Sequence, residues 1–436
     1  MIGIRRENKN RWERRVPLTP DHVAVLTQGQ HLRVFVEPSE IRAFPEWAYE
    51  EAGASVTADL APCRVILGVK EVPVERLEAA KVYAYFAHVA KGQSHNMPML
   101  RRLMELGCTL VDYEKIADDR GRRLIFFGLQ AGHSGMIDTL WALGRRLRHE
   151  GIRPNPFDDI HQALDYATLA EAQTAVSAAG ERILSEGLPE VMTPFVCAFT
   201  GYGNTYRGAA EVFDLLPFRD IAPAEVPELA GNLPRDRHVV YKAVFHEEHT
   251  VEPASPWDRF DLQDYYAHPE KYRPTFAQFL PHVAVLVNCV YWEPKYPRLV
   301  TLQALRELFG AKEPPRLKII GDISCDISGS VECTVRSTDS GDPVFVYDPV
   351  TGRDTLGIAG RGPVVLAVDN LPCELPVDAS QHFGDMLLPF VPALARCPWD
   401  EPLEQLPLPP EILRAVIVHR GKLAPSYVYL ERYLAA

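Results

Sequence analysis

A chain of 436 residues is more than one compact core usually holds, and 47% hydrophobic with 24% charged residues is ordinary globular composition. The net charge of -12 argues against nucleic acid or an anionic membrane as the main partner, and no run approaches the ~20 apolar residues of a membrane-spanning helix. Eight cysteines scattered without a C-x-x-C pair read as reduced thiols in a cytoplasmic enzyme, with no metal site, and the charged opening MIGIRRE reads as a strand and not a leader.

From the start to about residue 128, short strand-like runs alternate with helical ones: MIGIRRE, TPDHVAVLTQG, HLRVFVEP, PEWAYEEAG, RVILGVK, KVYAYFAH, MLRRLMELG and TLVDYE. Thr19-Pro20 is a helix start, with threonine as N-cap and proline at the first helical position. Such alternation predicts a doubly wound, mostly parallel sheet, in which ligands bind beyond the carboxyl ends of the strands. Two apolar runs end at that edge in titratable residues: VILGVKEVP delivers Lys70 and Glu71, and KVYAYFAH delivers His88. Arg14 and Arg15 lie in the loop after the first strand, at the same edge.

A long helical pattern covers about 131–150. After the Pro-containing stretch GIRPNPFDD and another helix, PFVCAFTGYGNTYRGAAEVFDLL reads as strand, turn and helix. Gly201-Tyr202-Gly203-Asn204 is the candidate dinucleotide turn, because two glycines let the backbone approach a pyrophosphate at a helix N-terminus. The third glycine of G-x-G-x-x-G is replaced by Tyr206, and Gly208 follows two residues later. Further strands are predicted at HVVYKAVF, HVAVLVNCVYW, RLKIIGDI and PVVLAVDN. The next strand after the turn, in PFRDIAPAE, holds Asp220 but ends near Ala222 and Pro223. Absence of a terminal acid for the ribose leans toward NADP(H) over NAD(H), with Arg207 or Arg219 as phosphate partners.

Lysine can be driven toward neutrality by burial and nearby cations, and histidine titrates near working pH, so Lys70 and His88 suit proton transfer at a carbonyl or imine. A guanidinium at Arg15 suits a substrate carboxylate. Each residue alone is equally the solvent-facing end of an element. Three of them at matching strand ends point to a site.

The motifs ERRVPLTP, GVKEVP, YFAH, GRRLIFFGLQAGHSG, VNCVYWEPKYPRLVT, GDISCDISGSVE and DNLPCELPVDASQHFGDMLLPFV, in order from Met1 to about Ala395, resemble the saccharopine dehydrogenase and alanine dehydrogenase superfamily. The last of these, with FDLQDYYAHPEKYRPTFAQFLPHV, is most similar to lysine-ketoglutarate reductase, the N-terminal half of bifunctional aminoadipic semialdehyde synthase. The resemblance implies an α/β fold of two Rossmann-like, doubly wound parallel-sheet domains with a cleft between them. Residues 1–130 plus 390–436 would form the substrate and catalytic domain, and 131–389 the nucleotide-binding domain, with crossing helices at both its ends.

By the same resemblance, Lys70 and His88 match the paired acid-base residues, Arg15 the carboxylate-binding arginine, and Glu71 and Glu114 the acids that tune them. Asp326 of CDISGS falls near the nicotinamide, while Gly201, Gly203, Asn204, Arg207 and Gly208 fall at the nucleotide. The implied reaction is NADPH-dependent condensation of L-lysine with 2-oxoglutarate to saccharopine. A homo-oligomer, and a separate glutamate-forming saccharopine dehydrogenase to process the product, are the partners the resemblance suggests. The rival readings are an alanine-dehydrogenase-like or other opine-type amino acid dehydrogenase, against which Phe260 to Val283 speaks, and a non-catalytic nucleotide sensor, which would need only the glycine turn.

Overall fold

The β1 strand (Ile2–Ile4) pairs in parallel with β2 (Val34–Val36) on one side and β4 (Val65–Leu67) on the other. The strands β3 (Ser55–Val56), β5 (Val82–Tyr85) and β6 (Thr109–Asp112) extend the sheet outward, all parallel. Crossovers carry α1 (Pro20–Ala24), α2 (Glu46–Glu51) and α3 (Met97–Glu105). The strands β1, β4, β5 and β6 are buried at every position, as a parallel sheet covered on both faces requires. Thr19 starts α1, where its N–H donates to His22 Nδ1 at 3.1 Å, so a histidine closes the cap.

The computed structural model describes residues 1–232 and 236–434 and divides into two units, Met1–Phe127 with Pro376–Ala436, and Gly128–Leu375. The second unit opens with α4 (Gly128–His149) and α5 (Leu169–Glu186), then β7 (Phe195–Thr200) and α6 (Asn204–Phe213). It continues through β8 (Phe218–Ile221), β9 (Val240–Phe245), a small antiparallel pair β10 (Val251–Pro253) and β11 (Tyr272–Pro274), then β12 (Val285–Asn288) and β13 (Ile319–Asp322). An antiparallel hairpin, β14 (Val344–Asp348) and β15 (Arg353–Leu356), attaches to β16 (Val364–Leu366). Sheet order is β15-β14-β16-β13-β12-β7-β9-β8, parallel from β16 to β8. Along β7 the side chains alternate between two cores: Phe195, Cys197 and Phe199 join the α4 side, Val196 and Ala198 the other.

The chain then returns to the first unit. The helix Pro376–Leu387, read above with the middle of the chain, sends Phe383 and Leu387 into the first unit's core. The strand β17 (Val416–His419) pairs antiparallel with β6, and β18 (Lys422–Leu423) closes the edge, giving the order β18-β17-β6-β5-β4-β1-β2-β3. No helix among the described residues is long and apolar enough to cross a membrane.

Candidate active site

Three neighbouring strands of the first sheet, β6, β5 and β4, deliver Glu114, His88, and Lys70 with Glu71 just beyond their carboxyl ends, and the longer loop after β1 adds Arg15. Lys70 and His88 stand three residues past Leu67 and Tyr85. The backbone at His88 is left-handed, with φ of 49°, a sparsely populated conformation that turns its ring out of the strand direction. That ring stacks on Phe86, with centroids 6.1 Å apart and planes at 14°. Its Nε2 lies 3.9 Å from Glu71 Oε1 and its Nδ1 3.8 Å from Glu114 Oε2, so it stands between two carboxylates. The neighbouring His88 ring holds Glu114 down at about 2, helped by Arg123, which also pairs with it.

Burial, with the charges of Arg15 and Lys9 behind it, pulls the Lys70 ammonium down to about 8. At neutral pH this lysine therefore sits within reach of both protonation states. Lys9 also approaches Glu71, 3.8 Å away. Arg15 is sealed from solvent and paired bidentately with Glu13, Nε to Oε1 at 2.8 Å and Nη2 to Oε2 at 2.6 Å, while its guanidinium lies 4.2 Å over the Phe127 ring. The structure thus gathers all five residues named for this unit, and adds Glu13 and Lys9, which sequence reasoning passed over.

In the second unit, the glycine turn joins β7 to α6. Gly201 has φ of +83°, which excludes most side chains, and Gly203 is the N-cap. A Cβ on Gly203 would meet nothing within 4 Å, no side chain caps α6, and no acid stands in its first turn. Unpaired first-turn N–H groups and the helix dipole therefore face an open cradle, and the residues fit the pyrophosphate of a dinucleotide. Asn204 accepts from Arg207 Nη1 at 3.4 Å on the first turn. Gly208 takes over the packing task of the missing third glycine: a Cβ there would collide with the Leu129 carbonyl on α4, and one on Gly132 with the Thr205 carbonyl. Tyr206, in the place of that glycine, packs edge-on against Phe199 at 5.6 Å.

Asp326 is exposed in the loop after β13, a turn in which Cys325 and Ser328 both have positive φ. Beneath that loop runs a hydrogen-bond chain that the motifs did not reveal. Thr200 Oγ1 donates to Asn288 Oδ1 at 2.9 Å, Asn288 Nδ2 to Asp322 Oδ1 at 2.8 Å, and Thr334 Oγ1 to Asp322 Oδ2 at 2.5 Å. Burial pushes Asp322 up to about 6 against those donors. The chain ties together the carboxyl ends of β7, β12 and β13, and its only sequence signal is a polar residue closing each apolar run.

A profile for the alanine dehydrogenase/PNT N-terminal domain matches residues 3–134. The chain is 39% identical over 447 aligned residues to alpha-aminoadipic semialdehyde synthase of Arabidopsis thaliana, covering 99% of this chain and 41% of that protein. It is 26% identical to saccharopine dehydrogenase [NAD(+), L-lysine-forming] of Neurospora crassa, covering 89% of this chain and 90% of that one. Among solved structures, an L-alanine dehydrogenase matches with a TM-score of 0.63 at 19% identity, covering 99% of both chains. The chain spans less than half the length of the semialdehyde synthases that it matches.

Proposed function

We propose that the chain, which is similar to alpha-aminoadipic semialdehyde synthases and to saccharopine dehydrogenase, is a lysine-ketoglutarate reductase, condensing L-lysine with 2-oxoglutarate to saccharopine. The observation that carries this reading is the pairing, on adjacent strand ends, of a lysine held near neutrality with a histidine between two carboxylates.

The ε-amine of the substrate attacks the keto carbon, the carbinolamine loses water to an imine, and reduction of that carbon gives the secondary amine. Lys70 takes the proton that the attacking amine releases and supplies one to the departing water. His88, standing between Glu71 and Glu114, delivers the proton that completes the product amine. Arg15 is the group assigned to a carboxylate of the oxo-acid, a role in which it exchanges its buried pairing with Glu13 for the substrate. Asp326 marks the nicotinamide end of the nucleotide site. The dinucleotide, when bound, supplies the hydride.

NADP(H) is the cofactor this reading favours over NAD(H). The β8 strand ends at Ile221, Ala222 and Pro223 follow, Asp220 lies 3.4 Å from Lys242, and Glu225 accepts the Ala222 N–H at 2.7 Å. The nearby acids are thus committed elsewhere, while Arg207 and Arg219 supply charge suited to a 2′-phosphate.

Mass spectrometry of the product from L-lysine labelled with ¹⁵N at the ε position tests the chemistry. Saccharopine carrying the label at its bridging amine is expected; unlabelled glutamate or alanine as the reduced product would overturn the proposal.

A further inference from the structure

We propose that Glu7 and Asp112 are a matched pair of positioning residues, each a buried carboxyl that grips the backbone presenting one of the two proton carriers, Lys70 and His88. The inference rests on the reading of those two residues given above.

The Gly68 and Phe86 N–H groups still bond to the Ala84 and Val69 carbonyls, and past them the backbone N–H groups need other partners. Glu7 meets that need for the Lys70 turn: Oε1 accepts the Val69 N–H at 2.7 Å and Oε2 the Lys70 N–H at 3.1 Å. Arg5 completes the grip, pairing with Glu7 at 3.1 Å and donating to the Lys70 carbonyl at 3.4 Å. Asp112 does the same on the neighbouring strands, its Oδ1 accepting the Ala87 N–H at 3.3 Å and the Glu114 N–H at 2.9 Å. Asn96 holds the other side of the His88 turn, donating to the carbonyls of Ala87 at 3.0 Å and His88 at 3.3 Å. The left-handed conformation of His88 persists because both faces of its turn are fixed.

Both carboxyls are buried, Glu7 with 6% and Asp112 with 0% exposure, and burial raises the pKa of each above the ordinary carboxylate range. An apolar residue would fill either place at lower cost, so a carboxyl there serves orientation rather than packing. Gly68 belongs to the device: a Cβ on it would stand 3.0 Å from Arg5 Cδ and 3.3 Å from Glu7 Oε1.

The two carboxyls differ in one respect that makes the idea testable. Glu7 uses both oxygens as acceptors, whereas Asp112 uses only Oδ1, and its Oδ2 is buried with no hydrogen-bond partner. An amide at position 7 must therefore turn its NH₂ against a backbone N–H, but one at position 112 keeps its single acceptor.

The test uses the full chain with Glu7→Gln, Asp112→Asn and Asp112→Ala, read by two signals. One is kcat for NADPH oxidation with lysine and 2-oxoglutarate; the other is the pH profile of Lys70 modification by trinitrobenzenesulfonate, followed by peptide mass spectrometry. Glu7→Gln is expected to lower kcat about 10²-fold and to move the Lys70 profile upward from about 8 toward free lysine, with the KM for NADPH unchanged. Asp112→Asn is expected within about threefold of the parent and Asp112→Ala about 10²-fold below it. A parental Lys70 profile in Glu7→Gln, or Asp112→Asn as damaging as Asp112→Ala, overturns the proposal. Should the parent oxidise no NADPH, the functional reading fails while the Lys70 profile still decides the role of Glu7. Should Glu7→Gln not fold, the two variants at Asp112 decide it.

Discussion

Nδ1 of His88 lies 3.8 Å from Oε2 of Glu114, and the interaction between them, with Arg123 beside it, keeps the carboxylate ionised down to about pH 2. An acid whose pKa is depressed on folding contributes stability that is fully present above its unfolded value near 4.3 and is lost as pH falls through the folded one. Glu114→Gln is therefore expected to cost about 1–3 kcal/mol at pH 6, and the deficit to vanish as pH approaches 2. Chemical denaturation at a series of pH values measures it; a deficit independent of pH would contradict the assignment.

Lys70 carries the opposite sign. With a folded pKa near 8 and an unfolded one near 10.4, the unfolded chain binds the extra proton, so stability rises with pH across that window and the charge is a burden below it. Lys70→Met should thus stabilise the chain by about 1–3 kcal/mol at pH 7, with the gain gone by about pH 10.5, while turnover falls about 10²–10⁴-fold. A variant that is inactive and also less stable at pH 7 would mark Lys70 as a structural residue instead.

Gly203 at the candidate nucleotide turn and Gly208 inside α6 should separate binding from packing. Gly203→Ala places its methyl in open space at the helix mouth, and it is expected to leave the melting temperature unchanged while weakening NADPH binding at least about tenfold, ~1.4 kcal/mol. Gly208→Ala drives a methyl into the Leu129 carbonyl and should destabilise by about 1–3 kcal/mol. Calorimetric titration and thermal melts of both variants distinguish them, and an exchange of the two phenotypes would refute the geometry.

A second buried acid pair lies in the other unit. Asp138 on α4 and Glu374 are both buried and interact electrostatically, and Asp138 Oδ1 accepts the Ala163 N–H at 2.7 Å. Burial raises both, and the charge of Asp138 raises Glu374 further. The folded chain then holds protons that the unfolded chain has released, and this pair's contribution falls as pH rises above about 4. Asp138→Asn should melt higher than the parent at pH 8, with a smaller difference at pH 5. A variant less stable at both would contradict the upward shift of the pair.

The strand ends of the first sheet were readable because each is a short apolar run closed by a polar residue, which is why Lys70 and His88 could be placed on one edge, whereas Glu114 came only from the family resemblance. The return of β17 beside β6 was not, since an antiparallel pairing between residues some 300 positions apart leaves no local periodicity. Glu7, Glu13 and Asp112 escaped for another reason: a buried carboxylate and a solvated one look the same in a string of letters. The pairing of Glu13 with Arg15, two residues away, reads as surface charge until both prove sealed from water. Gly208 is the intermediate case, visible as a glycine but assigned to the nucleotide rather than to the α4 crossing that it permits.

In the proposed reaction the assembly around Lys70 and His88 serves lysine-dependent reduction of an oxo-acid. The most direct test follows NADPH absorbance in purified protein given 2-oxoglutarate, with and without L-lysine, against a pyruvate and ammonia control. Oxidation that requires both lysine and 2-oxoglutarate, and is lost in Lys70→Met, is the predicted result. Oxidation supported by pyruvate and ammonia but not by lysine and 2-oxoglutarate, or none with any pair, would contradict it.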